Sequence, residues 1–297
     1  MPDQLLHYKV LGTLGEGAGS VIYRGRDMNT GRIVAIKHVQ RVKPKDLRYV
    51  EQMENEYEVS KSFSHSALRR AFNLKVTRTM LVKVTEAILV LEYVDALPLE
   101  KGLPDDLAGV VSTFIDAAGG LGAMHKMGYA HCDIKPNNIL RGHDGTVKVI
   151  DFGQACRIGT VKERIQGTPD YIAPEQVERL PISEATDVFN LGATLYWALT
   201  GKHVPTQYHA KRAGENSFVL DTLFKSPREL NREVPQVVSD VTMQCVSTNP
   251  RKRPQTMEAL IHKLELGRHI LDRGGSGSSS SDPDAIDENA VFDDSAY

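Results

Sequence analysis

The chain has 297 residues, enough for one large domain or two lobes that each bury a core of their own. Hydrophobic residues make up 41% and charged residues 25% of it, the balance of an ordinary globular protein. With 36 basic and 38 acidic residues the formal charge is -2, and setting aside the six acids of 274–297 leaves 1–273 only mildly basic, too weak a balance for nucleic-acid binding, where a clustered basic stripe is expected.

The opening decapeptide MPDQLLHYKV lacks the apolar centre of a signal peptide. Tyr8-Lys9-Val10-Leu11 then alternates like a strand, and a glycine cluster occupies 15–19. Ser20-Val21-Ile22-Tyr23-Arg24 alternates again, Asn29-Thr30-Gly31 marks a turn, and Ile33-Val34-Ala35-Ile36-Lys37 follows, so the first forty residues predict a β-meander. Over 46–63 the apolar residues Leu47, Val50, Met53 and Tyr57 are spaced for a helix with one buried face. Residues 87–94 read as a buried strand, and from about 105 the pattern turns mainly helical. Strands first and helices afterwards predict an α+β fold in two lobes. Nowhere does an uninterrupted apolar run reach the ~18 residues of a membrane span.

The C-terminal stretch 274–297 begins Gly-Gly-Ser-Gly-Ser-Ser-Ser-Ser and carries Asp282, Asp284, Asp287, Glu288, Asp293 and Asp294 with no Lys or Arg. It has little to bury and reads as a disordered tail or linker. Cys132, Cys156 and Cys245 form no CxxC or Cys/His cluster, so the expectation is a reducing, cytoplasmic setting without a disulfide framework.

Chemistry concentrates in a few places. Gly15-Glu16-Gly17-Ala18-Gly19 lets backbone N–H groups approach phosphate oxygens closely, although glycine-rich hairpins are common. A strand follows it and no Gly-Lys-Ser/Thr occurs, so it is neither a dinucleotide fingerprint nor a Walker loop. Lys37 closes an apolar strand, where a lysine ordinarily snorkels to water; as a phosphate ligand it would need a carboxylate to aim it, and Glu56 is the candidate. Tyr129-Ala130-His131-Cys132-Asp133-Ile134-Lys135-Pro136-Asn137-Asn138-Ile139-Leu140 is followed by Val147-Lys148-Val149-Ile150-Asp151-Phe152-Gly153. These two polar loops, flanked by strand-like runs, bring together Asp133, Lys135, Asn138 and Asp151, and Asp and Asn oxygens are the hard ligands that magnesium prefers. Taken singly, Asp133 or Asn138 would be an Asx turn.

With these motifs the chain resembles the eukaryotic-like protein kinase family, Ser/Thr branch, over about residues 8–271. The resemblance implies a two-lobed fold, with an N-lobe over about 8–91, a hinge at 92–95 and a C-lobe over about 96–271. It implies transfer of the γ-phosphate of ATP to Ser or Thr hydroxyls of protein substrates, with ATP and Mg2+ as cofactors. Leu14, Gly15, Gly17 and Ser20 would cover the phosphates; Ile22 and Ala35 would roof the adenine, Leu140 would floor it, and Glu92 and Val94 would line the hinge. Lys37 and Glu56 would form the phosphate-orienting pair, Asp133 would be the catalytic base, Lys135 would steady the γ-phosphate, and Asn138 and Asp151 would hold the metal. Gly167-Thr168-Pro169 through Ala173-Pro174-Glu175 is similar to the end of an activation segment, Asp187 to the brace of the catalytic loop, and Arg253 to the partner of Glu175. The implied partners are protein substrates and, for autophosphorylation at Thr160, Thr168 or the Ser278–Ser281 tail, a second copy of the chain; neither nucleic acid nor a membrane segment is expected.

Four positions depart from that family pattern. Ser20 stands where a third glycine is usual, and Gly19 leaves the loop tip without a bulky residue. Cys132 replaces the arginine that grips a loop phosphate, which predicts activity independent of phosphate at Thr160. Ser60, one turn past Glu56, is small and polar in a packing position, which predicts a loosely held helix. A small-molecule phosphotransferase and a catalytically dead scaffold are the rival readings; the first lacks the Ala173-Pro174-Glu175 and Asp187/Arg253 features, and the second would have lost one of Lys37, Glu56, Asp133, Asn138 or Asp151.

Overall fold

A computed structural model describes residues 1–17, 19–79, 83–209 and 224–275. Ala18 and the tail beyond Gly275, including Ser278–Ser281 and the six acids, lie outside the described residues.

The first lobe is a six-stranded antiparallel sheet in the order β1-β2-β3-β4-β6-β5. Its strands are β1 (Gln4–Leu5), β2 (Tyr8–Gly17), β3 (Ser20–Asp27), β4 (Ile33–Gln40), β5 (Ala71–Thr79) and β6 (Lys83–Glu92). Helix α1 (Leu47–Ser60) packs on one face. Strand periodicity sorts β4 onto two cores. Val34 and Ile36 join Tyr8, Val10, Ile88 and Val90 on the outer face, whereas Ala35 and Val39 join Val50 and Met53 of α1 on the inner face. Lys37, midway between Ala35 and Val39, therefore points to the α1 side. The predicted meander, helix and buried strand all form. Edge strand β5 was not expected, although Phe72, Leu74 and Val76 alternate with Asn73, Lys75 and Thr77 as a strand does.

The second lobe is built around α2 (Leu107–Lys126), opened by Asp106, whose carboxylate accepts from Gly109 N at 2.6 Å. By length and composition α2 is apolar enough to cross a membrane. Its Val110, Val111, Phe114, Ala117, Leu121 and Met124 are instead buried in the main core, with Ile134, Ile139, Leu191, Leu195 and Leu264. Short strands carry the polar loops: β7 (Leu97–Pro98), β9 (Ile139–Arg141) and β10 (Val147–Val149) form one sheet, and β8 (Tyr129–Ala130) pairs with β11 (Cys156–Arg157). Helices α3 (Pro174–Glu178), α4 (Glu184–Thr200), α5 (Pro227–Leu230), α6 (Gln236–Cys245) and α7 (Met257–Gly275) complete it. Gly201, at φ 68°, closes α4 in a left-handed cap.

Residues 93–96 join the lobes, and so does the stretch before β5. Arg69 N donates to Val149 O at 3.1 Å and Val149 N to Ala67 O at 2.7 Å, which stitches the entry of β5 to β10.

Candidate active site

The side chain of Lys37, directed towards α1 by the strand register, meets Glu56, which the helix buries completely. Lys37 Nζ donates to Glu56 Oε2 at 2.7 Å and to Asp151 Oδ1 at 3.1 Å. Burial works against the ammonium charge, but the Asp151 and Glu56 carboxylates outweigh it, and the lysine pKa lies above its ordinary value. Asp151 is the reciprocal case. Burial pushes its carboxyl up, and the neighbouring Lys37 ammonium more than reverses that, so it is held well below the usual carboxylate range. Both groups are thus charged at neutral pH. Asp151 sits at φ 66°, a left-handed conformation that costs an ordinary residue energy and is met at working sites.

From Asp151 a chain of bonds runs to the other loop. Ile150 N donates to Asn138 O at 2.9 Å, the ring Nε2 of His131 lies 3.0 Å from Ile150 O, and Asn138 Nδ2 donates to Asp133 O at 2.8 Å. Asp133 is 5% exposed. Its Oδ1 accepts from the Thr168 hydroxyl at 2.8 Å and its Oδ2 from Lys135 Nζ at 3.0 Å, while Lys135 Nζ also donates to Thr168 Oγ1 at 2.9 Å. This closed triangle fixes the carboxylate beside a cation. Lys37, Asp133, Asn138 and Asp151 accordingly belong to one connected cluster between the lobes.

Asn138 and Asp151 fit a magnesium ion by the chemistry of their donors. With the Asn138 amide nitrogen committed to Asp133 O, the group left to face a cation is a carbonyl oxygen, and Asp151 adds an ionised carboxylate, a hard oxygen pair. Among the described residues no cluster of three or more His, Cys, Asp or Glu is arranged for a metal. Magnesium bound with substrate phosphates needs only one or two protein carboxylates.

The glycine hairpin is the β2–β3 connection, with Gly15 opposite Ile22 and Gly17 opposite Ser20. Leu14 and Gly17 are exposed and Gly15 half-buried. A Cβ on Gly17 would come within 3.3 Å of the Ser20 hydroxyl oxygen. The small tip residue has a local reason: Gly19 has φ +85°, and a Cβ there would fall 2.3 Å from the Tyr49 ring of α1. The tip thus lies against an aromatic ring in place of a bulky residue of its own. Ala35 is buried opposite Leu91, and Ile22 faces Lys37 across the strands. Leu140 sits on β9, opposite Pro98 and Lys148, just past the interlobe connection. Glu92 ends β6, and Val94, half-buried, follows it in the connection.

Several positioning residues escaped the sequence analysis because their partners are remote in the chain. Arg69 Nη2 donates to Glu56 Oε1 at 3.1 Å, so the buried carboxylate serves two cations. Asn55 Nδ2 holds the carbonyls of Phe152, Gly153 and Ala155 at 3.1, 3.3 and 2.8 Å, tying α1 to the turn after Asp151. Lys148 Nζ pairs with Glu92 at 3.0 Å across the interlobe connection. Gln176 Nε2 donates to Cys132 O at 2.8 Å. Of the expected braces, Asp187 accepts from His131 N at 2.7 Å, Cys132 N at 2.8 Å and His125 Nε2 at 2.9 Å, and Arg253 pairs with Glu175 at 2.7 Å. The looseness expected from Ser60 is not there. Its hydroxyl donates to Arg69 O at 3.1 Å and accepts from Ala71 N at 2.9 Å, a polar staple between α1 and the entry of β5.

A family model described as "Protein kinase domain" matches residues 8–264. The chain is 29% identical over 296 residues to a probable serine/threonine-protein kinase of Clostridium perfringens, covering 93% of this chain and 40% of that protein. It is 31% identical over 295 residues to the cytokinesis protein sepH of Aspergillus terreus, covering 95% and 20% respectively. To serine/threonine-protein kinase PknD of Chlamydia abortus it is 27% identical over 302 residues, covering 89% and 31%. The chain thus spans well under half the length of these relatives.

Proposed function

The chain belongs to the protein kinase domain family, and from that premise we propose that it transfers the γ-phosphate of ATP to serine and threonine hydroxyls of protein substrates. The observation that carries this reading is the connected cluster of Lys37, Glu56, Asp151, Asn138 and Asp133, each charged or polar group held by a partner that aims it.

In this reading adenine lies between Ile22 and Ala35 above and Leu140 below, against the chain at Glu92 and Val94. Leu14, Gly15, Gly17 and Ser20 cover the phosphates. Lys37, aimed by Glu56, binds the α- and β-phosphates, and Lys135 neutralises charge at the γ-phosphate. Asn138 and Asp151 would hold Mg2+, which supplies positive charge against the phosphate oxygens. Asp133 accepts a hydrogen bond from the incoming hydroxyl and takes its proton as the oxygen bonds to phosphorus and the bond to ADP breaks. Thr168, bonded to both Asp133 and Lys135, keeps these two side chains in register. A loose transition state asks for positioning and electrostatics more than covalent chemistry. Serine or threonine as the acceptor is supported by Asp133-Ile134-Lys135 with Gly167-Thr168-Pro169, which is similar to the serine/threonine branch of the family, and by the serine/threonine kinases among the relatives.

The same reading assigns residues 8–271 to the catalytic domain and 274–297 to a linker or tail, places the protein in the cytoplasm, and allows two copies to meet for autophosphorylation. Incubation with labelled ATP, Mg2+ and a generic basic protein, followed by acid hydrolysis, tests it. Label is expected in phosphoserine and phosphothreonine, and a Lys37→Met variant is expected to lose at least about a hundredfold in rate. Label in phosphotyrosine alone, or equal labelling by wild type and variant, would contradict it.

A further inference from the structure

The position just before the catalytic-loop aspartate is a cysteine, and the fold brings it a partner. Strand β8 leads into Cys132 and strand β11 begins at Cys156, and the pairing of Cys156 with Ala130 sets the two side chains close together. Their sulfurs are 3.6 Å apart, near enough for one thiol to hydrogen-bond to the other. A disulfide bond is about 2.05 Å long, so the gap to close is about 1.5 Å. Ala130, Ile158 and Ile182 pack around the pair as an apolar wall.

The two thiols are not equivalent. Cys132 is fully buried, and its backbone is pinned from both sides: its N–H donates to Asp187 Oδ1 at 2.8 Å and its carbonyl accepts from Gln176 at 2.8 Å. Cys156 is half-buried, on a two-residue strand. The hydrogen bond shared with Cys132, helped by the Lys162 ammonium and the Thr160 hydroxyl against burial and the Asp187 charge, lowers the Cys156 thiol below the ordinary range. Hydrogen bonding and burial push the Cys132 thiol the other way. The accessible sulfur is thus the better nucleophile, and the buried one is placed to resolve it.

We propose that Cys132 and Cys156 form a reversible disulfide on exposure to a hydroperoxide, tying the catalytic loop covalently to the segment that follows Asp151. The Cys156 thiolate attacks one peroxide oxygen, the O–O bond breaks, hydroxide leaves and Cys156 becomes a sulfenic acid. Cys132 Sγ then attacks the Cys156 sulfur, the S–O bond breaks, and the hydroxyl leaves as water with the Cys132 proton. Overall two thiols and one hydrogen peroxide give one disulfide and two waters. A dithiol reverses it. Because the Cys132 backbone is pinned, the short strand β11 moves to close the gap, and the link holds the segment downstream of Asp151 against the loop that carries Asp133.

The test needs no kinase assay and therefore fails or succeeds apart from the proposed function. The full chain, reduced and then treated with hydrogen peroxide, is digested without reductant and mapped by mass spectrometry. The expected product is a peptide pair joined through Cys132 and Cys156, lighter by two hydrogen atoms than its reduced parts and restored by dithiothreitol. Cys245, buried against α4 with its thiol pushed up to about 12, serves as an internal control and stays reduced. The oxidised chain is expected to melt about 5 °C above the reduced one, because the link closes a loop in the unfolded chain. Cys156→Ser should keep the reduced melting temperature and show no shift on oxidation. Sulfinic acid at Cys156 with Cys132 still reduced, a link that joins two molecules, or an oxidised chain that melts no higher would each overturn the proposal. The peptide map uses the wild-type chain, so it decides the question even where a variant fails to fold.

Discussion

Ser60 illustrates how much one buried hydroxyl can do. Its position within α1 is one where an apolar side chain would fill space, yet here it satisfies a carbonyl and an N–H of the chain entering β5. Ser60→Ala leaves Arg69 O and Ala71 N without that partner in a buried place. The expected cost is about 1–3 kcal/mol of stability by chemical denaturation, and an unchanged midpoint would contradict the staple. The site residues differ sharply in how far they could be read in advance. Asp133, Lys135, Asn138 and Asp151 lie in two short motifs, so residue type and spacing exposed them. Arg69 and Lys148 could not be found that way: each is an ordinary surface-type cation in sequence, and its carboxylate lies 13 and 56 positions away. Cys132 was legible as a departure, but its pairing with Cys156 was not, since 24 residues separate them and only the β8–β11 pairing closes the distance.

At the level of elements, periodicity carried well where one face is buried and poorly where it is not. Helix α1 was plain from Leu47, Val50, Met53 and Tyr57, and the face they define is the one that delivers Glu56 to Lys37. Edge strand β5 was missed although Phe72, Leu74 and Val76 alternate with Asn73, Lys75 and Thr77, and its apolar face is only half-buried. The strands β7 to β11 are two or three residues long, too short for any period to register, yet they set the loops that hold Asp133 and Asp151. Close approach of helices in the second lobe rests on a glycine that composition cannot flag. A Cβ at Gly192 of α4 would lie 2.3 Å from Cys245 Cβ of α6. Gly192→Ala therefore forces the helices apart, and about 1–3 kcal/mol of destabilisation is expected by thermal or chemical unfolding; a variant as stable as the parent would show that the crossing is not as tight as described.

For the whole molecule, the order of strands before helices was enough to give an α+β chain in two lobes, because each half must bury its own apolar face. What the order did not reveal is how the halves are held. The stretch before β5 bonds to β10, Asn55 grips the turn after Asp151, Lys148 pairs with Glu92 and Lys37 with Asp151, so contacts besides the connecting chain set the cleft. That rigidity matters because the proposed chemistry depends on holding a cation pair, a carboxylate and a metal-binding pair at fixed separations.

The most direct check of that claim separates binding from turnover in one variant. Asp133→Asn keeps the shape of the side chain and leaves Lys37, Asn138 and Asp151, the proposed nucleotide and magnesium ligands, in place, but removes the proposed proton acceptor. Single-turnover transfer from Mg-ATP, measured on protein whose ATP affinity has been verified, is expected to fall by about a thousandfold while that affinity changes by less than about threefold. Transfer at the wild-type rate by this variant would contradict the account.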